Sequence, residues 1–105
     1  MVVASNAVLE RFKAALESLY GHRLERAVLF GSRARGDATP DSDYDVAVFL
    51  KGPCSFGDDA KRIARIETDL LYETGAIINA MPFRAGSYSE RTGLMAEVRR
   101  DGRDL

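Results

Sequence analysis

The run Asp43-Tyr44-Asp45-Val46-Ala47-Val48-Phe49-Leu50 limits what this chain can become more than any other stretch of it. From Val46 onward it is unbroken apolar, and the whole run reads as a strand that is buried after its opening. Side chains alternate across a strand, so Asp43 and Asp45 leave from one face, about 6.5–7 Å apart along the backbone. Tyr44, Val46, Val48 and Leu50 form the other, apolar face. Two carboxylates at the head of a buried strand are costly unless a cation lies between them. Oxygen donors of this kind suit Mg²⁺, which is held by one or two carboxylates together with substrate phosphates. The spacing accommodates a metal between both side chains, with room for a second beside it.

The neighbouring segments predict how such a strand is covered. Val8, Leu9, Phe12, Leu16 and Leu19 recur at helical spacing, which predicts a helix over 6–20 with Ser5 or Asn6 as its cap and Gly21 as its stop. Residues 26–30 read as a short first strand running into Gly31. Residues 31–42 are turn-rich, with room for one helical turn over 32–35. After a loop over 51–57, Ile63, Ile66, Leu70 and Leu71 mark a helix over 58–74, with Asp58 and Asp59 at its positive end and Gly75 closing it. A third strand is expected over 76–83, ended near Pro82. Ser87-Tyr88-Ser89-Glu90 fits a capping box opening a last helix to about Arg100, closed by Gly102. The order is helix, strand, strand, helix, strand, helix. It predicts an α+β domain over 1–105, a small mixed sheet of three or four strands covered by helices.

If the first two strands pair, Gly31 and Ser32 arrive beside the carboxylates. A glycine lets the backbone approach a phosphate closely, and a turn after a strand presents successive N–H donors to anionic oxygens. The Ser32 hydroxyl adds a donor, and Arg33 and Arg35 offer bidentate contacts to phosphate. A phosphate cradle beside a two-carboxylate metal site is the equipment for transferring a nucleotidyl group. Other readings fit less well. A calcium loop opening at Asp41 needs Gly at its sixth position and Glu at its twelfth, where this chain has Val46 and Gly52. Gly31–Gly36 is not followed by the Gly-Lys-Ser/Thr of a Walker loop. A hairpin edge with solvated aspartates explains Asp-x-Asp alone, but not the full string from Gly31 to Asp45.

That string, Gly-Ser-Arg-Ala-Arg-Gly-Asp-Ala-Thr-Pro-Asp-Ser-Asp-Tyr-Asp, closely resembles the signature of the minimal nucleotidyltransferases of the DNA polymerase β-like superfamily: Gly-Ser, about ten residues, then Asp-x-Asp. The motif-specific part is residues 30–50, while the element order matches along nearly the whole chain. The resemblance implies the polymerase β-type nucleotidyltransferase fold and Mg²⁺-dependent transfer of a nucleoside monophosphate from a triphosphate, usually ATP. It implies that Gly31 and Ser32 hold the triphosphate, and that Asp43 and Asp45 are the metal-binding catalytic residues. Many such proteins are prokaryotic antitoxins paired with a HEPN-domain toxin, and some adenylylate a tyrosine of that toxin.

The superfamily also uses a third carboxylate on a later strand, and the position that aligns here is Asn79. An amide coordinates a cation weakly and cannot serve as a base at neutral pH. Either another acid substitutes, with Asp69 and Glu73 as candidates, or catalysis is weakened or lost. Three functions follow in order: an enzyme that modifies a partner protein, a binding module that masks a partner, and an enzyme acting on a small molecule. At this length no second domain is expected to present an acceptor, which favours a HEPN-type toxin or other protein acceptor, in a homo- or hetero-oligomer.

Composition excludes several classes. With 15 basic and 16 acidic residues the formal net charge is −1, so no direct DNA binding is expected. One cysteine, Cys54, and one histidine, His22, leave neither a disulfide framework nor a zinc centre. Cys54 reads as an incidental thiol, His22 as solvent-facing, and Tyr72 and Tyr88 as packing or surface residues. No segment reads as membrane-spanning, so the expected location is cytoplasmic.

Overall fold

The structure, a computed structural model, describes residues 5–53 and 55–105. Cys54 therefore lies outside the described residues. The elements in chain order are α1 (Ser5–Tyr20), β1 (Leu24–Phe30), α2 (Ser32–Arg35), β2 (Tyr44–Leu50), α3 (Phe56–Thr74), β3 (Ile78–Arg84), α4 (Gly93–Asp101) and β4 (Arg103–Asp104). Single 3₁₀ turns occupy Gly21–Arg23 and Ala85–Ser89. The four strands form one mixed sheet in the order β3-β2-β1-β4, antiparallel between β1 and its two neighbours and parallel between β2 and β3. This is the α+β fold expected from the sequence.

The two faces of the sheet are covered differently. On one face Val8, Phe12, Leu16 and Tyr20 of α1 and Ile63 and Leu70 of α3 pack on Leu29, Tyr44, Val46, Val48 and Leu50. On the other, Met95 and Val98 of α4 pack on Val28, Phe30, Ala47 and Phe49, with Phe83 and Tyr88 closing the far end. Phe49 stacks on Phe83 at 5.7 Å and meets the Tyr88 ring edge-on at 5.5 Å. Tyr88 is thus a packing residue, whereas Tyr72 stands 86% exposed on α3. α3 is tied to the outer strand where the Glu67 carboxylate accepts the Ala80 N–H at 2.9 Å. Among the described residues no helix is long and apolar enough to cross a membrane.

Several boundaries differ from the sequence reading, each for a local reason. Ser5 and Asn6, expected as caps, lie inside α1, whose start borders the undescribed residues. β1 begins at Leu24 rather than residue 26, with a register shift between Leu24 and Arg26 that absorbs the extra residues. β2 begins at Tyr44, leaving Asp43 just before it, although the Tyr44 N–H still bonds the Ile77 carbonyl at 2.9 Å. α3 starts two residues early because Ser55 caps it through the Asp58 N–H. β3 runs through Pro82 to Arg84, which an edge strand tolerates because a missing N–H need not break a ladder. The capping box at Ser87 does not form: those residues make the 3₁₀ turn, and Thr92 caps α4 by accepting the Met95 N–H at 3.1 Å. Arg99 fixes the intervening loop by donating to the Tyr88 and Glu90 carbonyls. β4, which no pattern announced, follows Gly102, where a Cβ would collide with the Val98 carbonyl and Val28.

Candidate active site

The antiparallel register places Phe30 opposite Asp45, so the turn leaving β1 arrives at the head of β2. Gly31 sits there with φ +76° and ψ −159°, a conformation open to glycine and strained for other residues. A Cβ at Gly31 would lie only 2.5 Å from Asp45 Oδ2. Glycine is required twice over, by the backbone and by the carboxylate packed against it. The chain then turns into α2, the Gly31 carbonyl accepting the Ala34 and Arg35 N–H groups, each at 3.1 Å. The N–H groups of Ser32 and Arg33 stand ahead of these, at the turn's positive end.

The structure separates the two arginines expected at the phosphate. Arg33 lies over the Tyr44 ring, 4.0 Å from its centroid, on the face covered by α1. It donates to the Ser42 carbonyl at 2.9 Å and to the Pro40 carbonyl at 3.2 Å, bracing the loop that leads into β2. Arg35 turns to the carboxylate side, where it pairs with Asp37 at 3.2 Å, Glu97 at 3.5 Å and Asp101 at 3.9 Å.

Asp43, Asp45 and Asn79 come together. Parallel pairing sets Asn79 directly beside Asp45, and its Nδ2 donates to Asp43 Oδ2 at 2.8 Å. Burial, and next the charge of Asp43, push the Asp45 carboxyl above the usual carboxylate range; Asn79 and Arg35 oppose that rise, and Glu97 adds to it. Asp69 and Glu73 do not reach this place. Both belong to α3 on the other side of the sheet, Glu73 paired with Arg11 at 3.6 Å and Asp69 lining a groove between α1 and α3. The acids that sequence reading missed are Glu97 and Asp101 of α4. Their only sequence signal is a four-residue spacing that puts both on one side of a helix.

The donor set consists of hard oxygens: two carboxylates that repel one another, and an amide. It fits a divalent cation such as Mg²⁺, for which Asp43 and Asp45 would be the anionic ligands. Among the described residues no group of three or more His, Cys, Asp or Glu side chains is placed to hold a metal.

Comparison with known proteins identifies the family. The family described as the nucleotidyltransferase domain matches residues 9–93. A relative from Methanocaldococcus jannaschii, which carries the provisional name protein adenylyltransferase MJ0604, is 38% identical over 74 residues, spanning 70% of this chain and 67% of that protein. Among solved structures, a provisionally assigned nucleotidyltransferase from Sulfolobus solfataricus superposes with a TM-score of 0.67 at 21% identity, covering 93% of this chain and 76% of the other. A chain of a toxin–antitoxin structure with AMP-PNP superposes with a TM-score of 0.66 at 20% identity, covering 90% and 69%. At such identities the structural likeness speaks for the fold alone. The family match over most of the chain, together with the relative 38% identical over 70% of it, makes this protein a member of the nucleotidyltransferase domain family and an enzyme of that type.

Proposed function

We propose that this protein transfers AMP from ATP to a hydroxyl of a partner protein, as the antitoxin of a pair whose toxin is of the HEPN type. The observation that carries the reading is the close approach of Gly31 to Asp45, which sets the turn after β1 against the carboxylate pair and so supports a phosphate cradle beside a cation site. The adenylyltransferase name of the relative and the AMP-PNP in the similar toxin–antitoxin structure favour a protein acceptor and an adenine nucleotide.

In this reading Gly31 and Ser32 hold the triphosphate through backbone N–H groups and the Ser32 hydroxyl. Arg35 lies on the same side and adds positive charge. Asp43 and Asp45 hold Mg²⁺, which when bound neutralises the triphosphate and the departing pyrophosphate and makes the acceptor hydroxyl more acidic. The acceptor oxygen forms a bond to the α-phosphorus, the bond from that phosphorus to the bridging oxygen breaks, and pyrophosphate leaves. The hydroxyl proton passes to solvent, since Asn79 beside Asp45 cannot take it.

The test is transfer of label from α-labelled ATP with Mg²⁺ to the protein encoded next to this one. Labelling that disappears in Asp43→Asn and in Asp45→Asn is expected; labelling that persists in both would remove the assigned site. Asn79 favours a second reading, a module that neutralises its partner by binding alone. That reading requires neutralisation to survive the Asp43→Asn, Asp45→Asn double variant, in which transfer is gone.

A further inference from the structure

Asn79 does more than leave a carboxylate out. A carboxylate at neutral pH only accepts hydrogen bonds, so the amide must turn its NH₂ group toward Asp43, as the 2.8 Å contact shows. Parallel pairing sets the same residue beside Asp45, so one neutral amide stands between two like charges that repel each other. A second divalent cation beside the first needs further anionic oxygen where Asn79 stands. What it meets there is a hydrogen-bond donor carrying partial positive charge, already occupying an Asp43 lone pair.

No nearby acid makes up the loss. Glu97, whose charge is felt at Asp45, is engaged by Arg35 at 3.5 Å, and Asp101 is engaged by Arg100 at 2.9 Å and Arg35 at 3.9 Å. Among the described residues no three acidic, His or Cys side chains are placed to share a metal. Two carboxylates and the phosphate oxygens of a triphosphate supply one divalent cation with its anionic ligands. They leave a second without a ligand of its own from the protein.

We propose that Asn79 makes this a one-cation site: its amide, bonded to Asp43 and set beside Asp45 by strand pairing, fills the position from which a third carboxylate would draw in a second divalent cation. The inference rests on the cation-and-triphosphate reading above, and deepens it by fixing the stoichiometry. Asn79 is a positioning residue here, acting through the two aspartates.

The experiment counts Mn²⁺ by electron paramagnetic resonance and calorimetry on the full chain saturated with α,β-methylene ATP. The expected result is one bound Mn²⁺ per protein–nucleotide complex in the wild type, two in Asn79→Asp, and one in Asn79→Ala, which removes the amide without adding charge. Two Mn²⁺ ions in the wild type would overturn the proposal, and that measurement needs no variant to fold. One Mn²⁺ in an Asn79→Asp protein that melts cooperatively would overturn it as well. No protein-bound Mn²⁺ in the wild type would remove the cation site itself, and with it the proposed transfer, whereas a count of two leaves the transfer standing.

Discussion

Asp59 and Asp45 are both drawn away from water, and the molecule treats them in opposite ways. Asp59, at the start of α3, is 1% exposed, accepts the Tyr20 hydroxyl at 3.0 Å, and has Arg62 at 3.4 Å and Arg23 at 4.0 Å. Burial, followed by the hydrogen bond to Asp59, pushes the Tyr20 phenol well above its ordinary range, which keeps it a donor at every working pH. Asp45 is only half-buried, yet beside it stand a second carboxylate and an amide. The nearby Arg35 is shared among three other acids. On the face closed by α1 and α3, a buried charge comes with its own donors. At the open end of the other face two carboxylates are left under-compensated, a demand for positive charge that the proposed cation would meet.

Paired substitutions test this contrast most strongly. Asp45→Asn is expected to lower AMP transfer by roughly 100-fold or more, because it removes an anionic cation ligand, while the melting temperature holds or rises. Asp59→Asn should do the reverse, keeping transfer and losing stability. Labelled-ATP assays beside thermal melts read both, and a Tm loss in Asp45→Asn equal to that in Asp59→Asn would dissolve the distinction. Gly31→Ala comes next. Its Cβ would press on Asp45 and its backbone would be strained, so transfer should fall by about 10- to 100-fold at a stability cost of about 1–3 kcal/mol. Gly36→Ala is the control: φ is +85° with no atom within 4 Å of a new Cβ, so stability alone should suffer.

How far the sequence spoke for itself follows from the range of each interaction. Gly31, Ser32, Asp43 and Asp45 lie within one hairpin, and alternation along a strand suffices to put the two aspartates on one face. Asn79 was reachable because parallel pairing across a helical crossover sets a polar residue of β3 against Asp45. The acids around Arg35 were not legible: Glu97 and Asp101 reach it only because α4 packs across β1, which no local pattern states. Arg33 and Arg35 look alike in sequence, yet one turn of helix sends them to opposite faces. Asp59 was read as a dipole-favouring residue at a helix start, whereas Tyr20 and Arg23, distant in the chain, make it a buried structural acid. Pro82 and Ser87 misled the boundary reading because edge position and the later Thr92 cap outweighed local preference.

The Asp59 side of the contrast is sharpened by removing its partners singly. Asp59→Ala leaves the Tyr20 hydroxyl buried without an acceptor and should cost on the order of 1–3 kcal/mol in chemical denaturation. Tyr20→Phe deletes one donor while Arg62 and Arg23 remain, and should cost about 1 kcal/mol. A larger loss in Tyr20→Phe than in Asp59→Ala would mean that the buried hydroxyl, and not the charge of Asp59, is what the cluster supplies.

The smallest effect is a dependence on pH, and its sign separates the two aspartates. The Asp45 carboxyl is raised in the folded chain, so its protonated form favours folding. That contribution is fully present below the ordinary carboxylate value and is lost as pH rises through the raised one. At acid pH wild type and Asp45→Asn should therefore melt together, and the variant should become the more stable by a few degrees at most as pH approaches neutrality. Added Mg²⁺ with the ATP analogue should reverse that difference, since the cation binds the ionised wild-type carboxylate and finds no charge in the variant. Paired melts across pH 4–8 read the outcome. A difference that stays constant with pH would mean that Asp45 is already compensated within the protein, as Asp59 is, and that the open end of the sheet carries no stored demand for a cation.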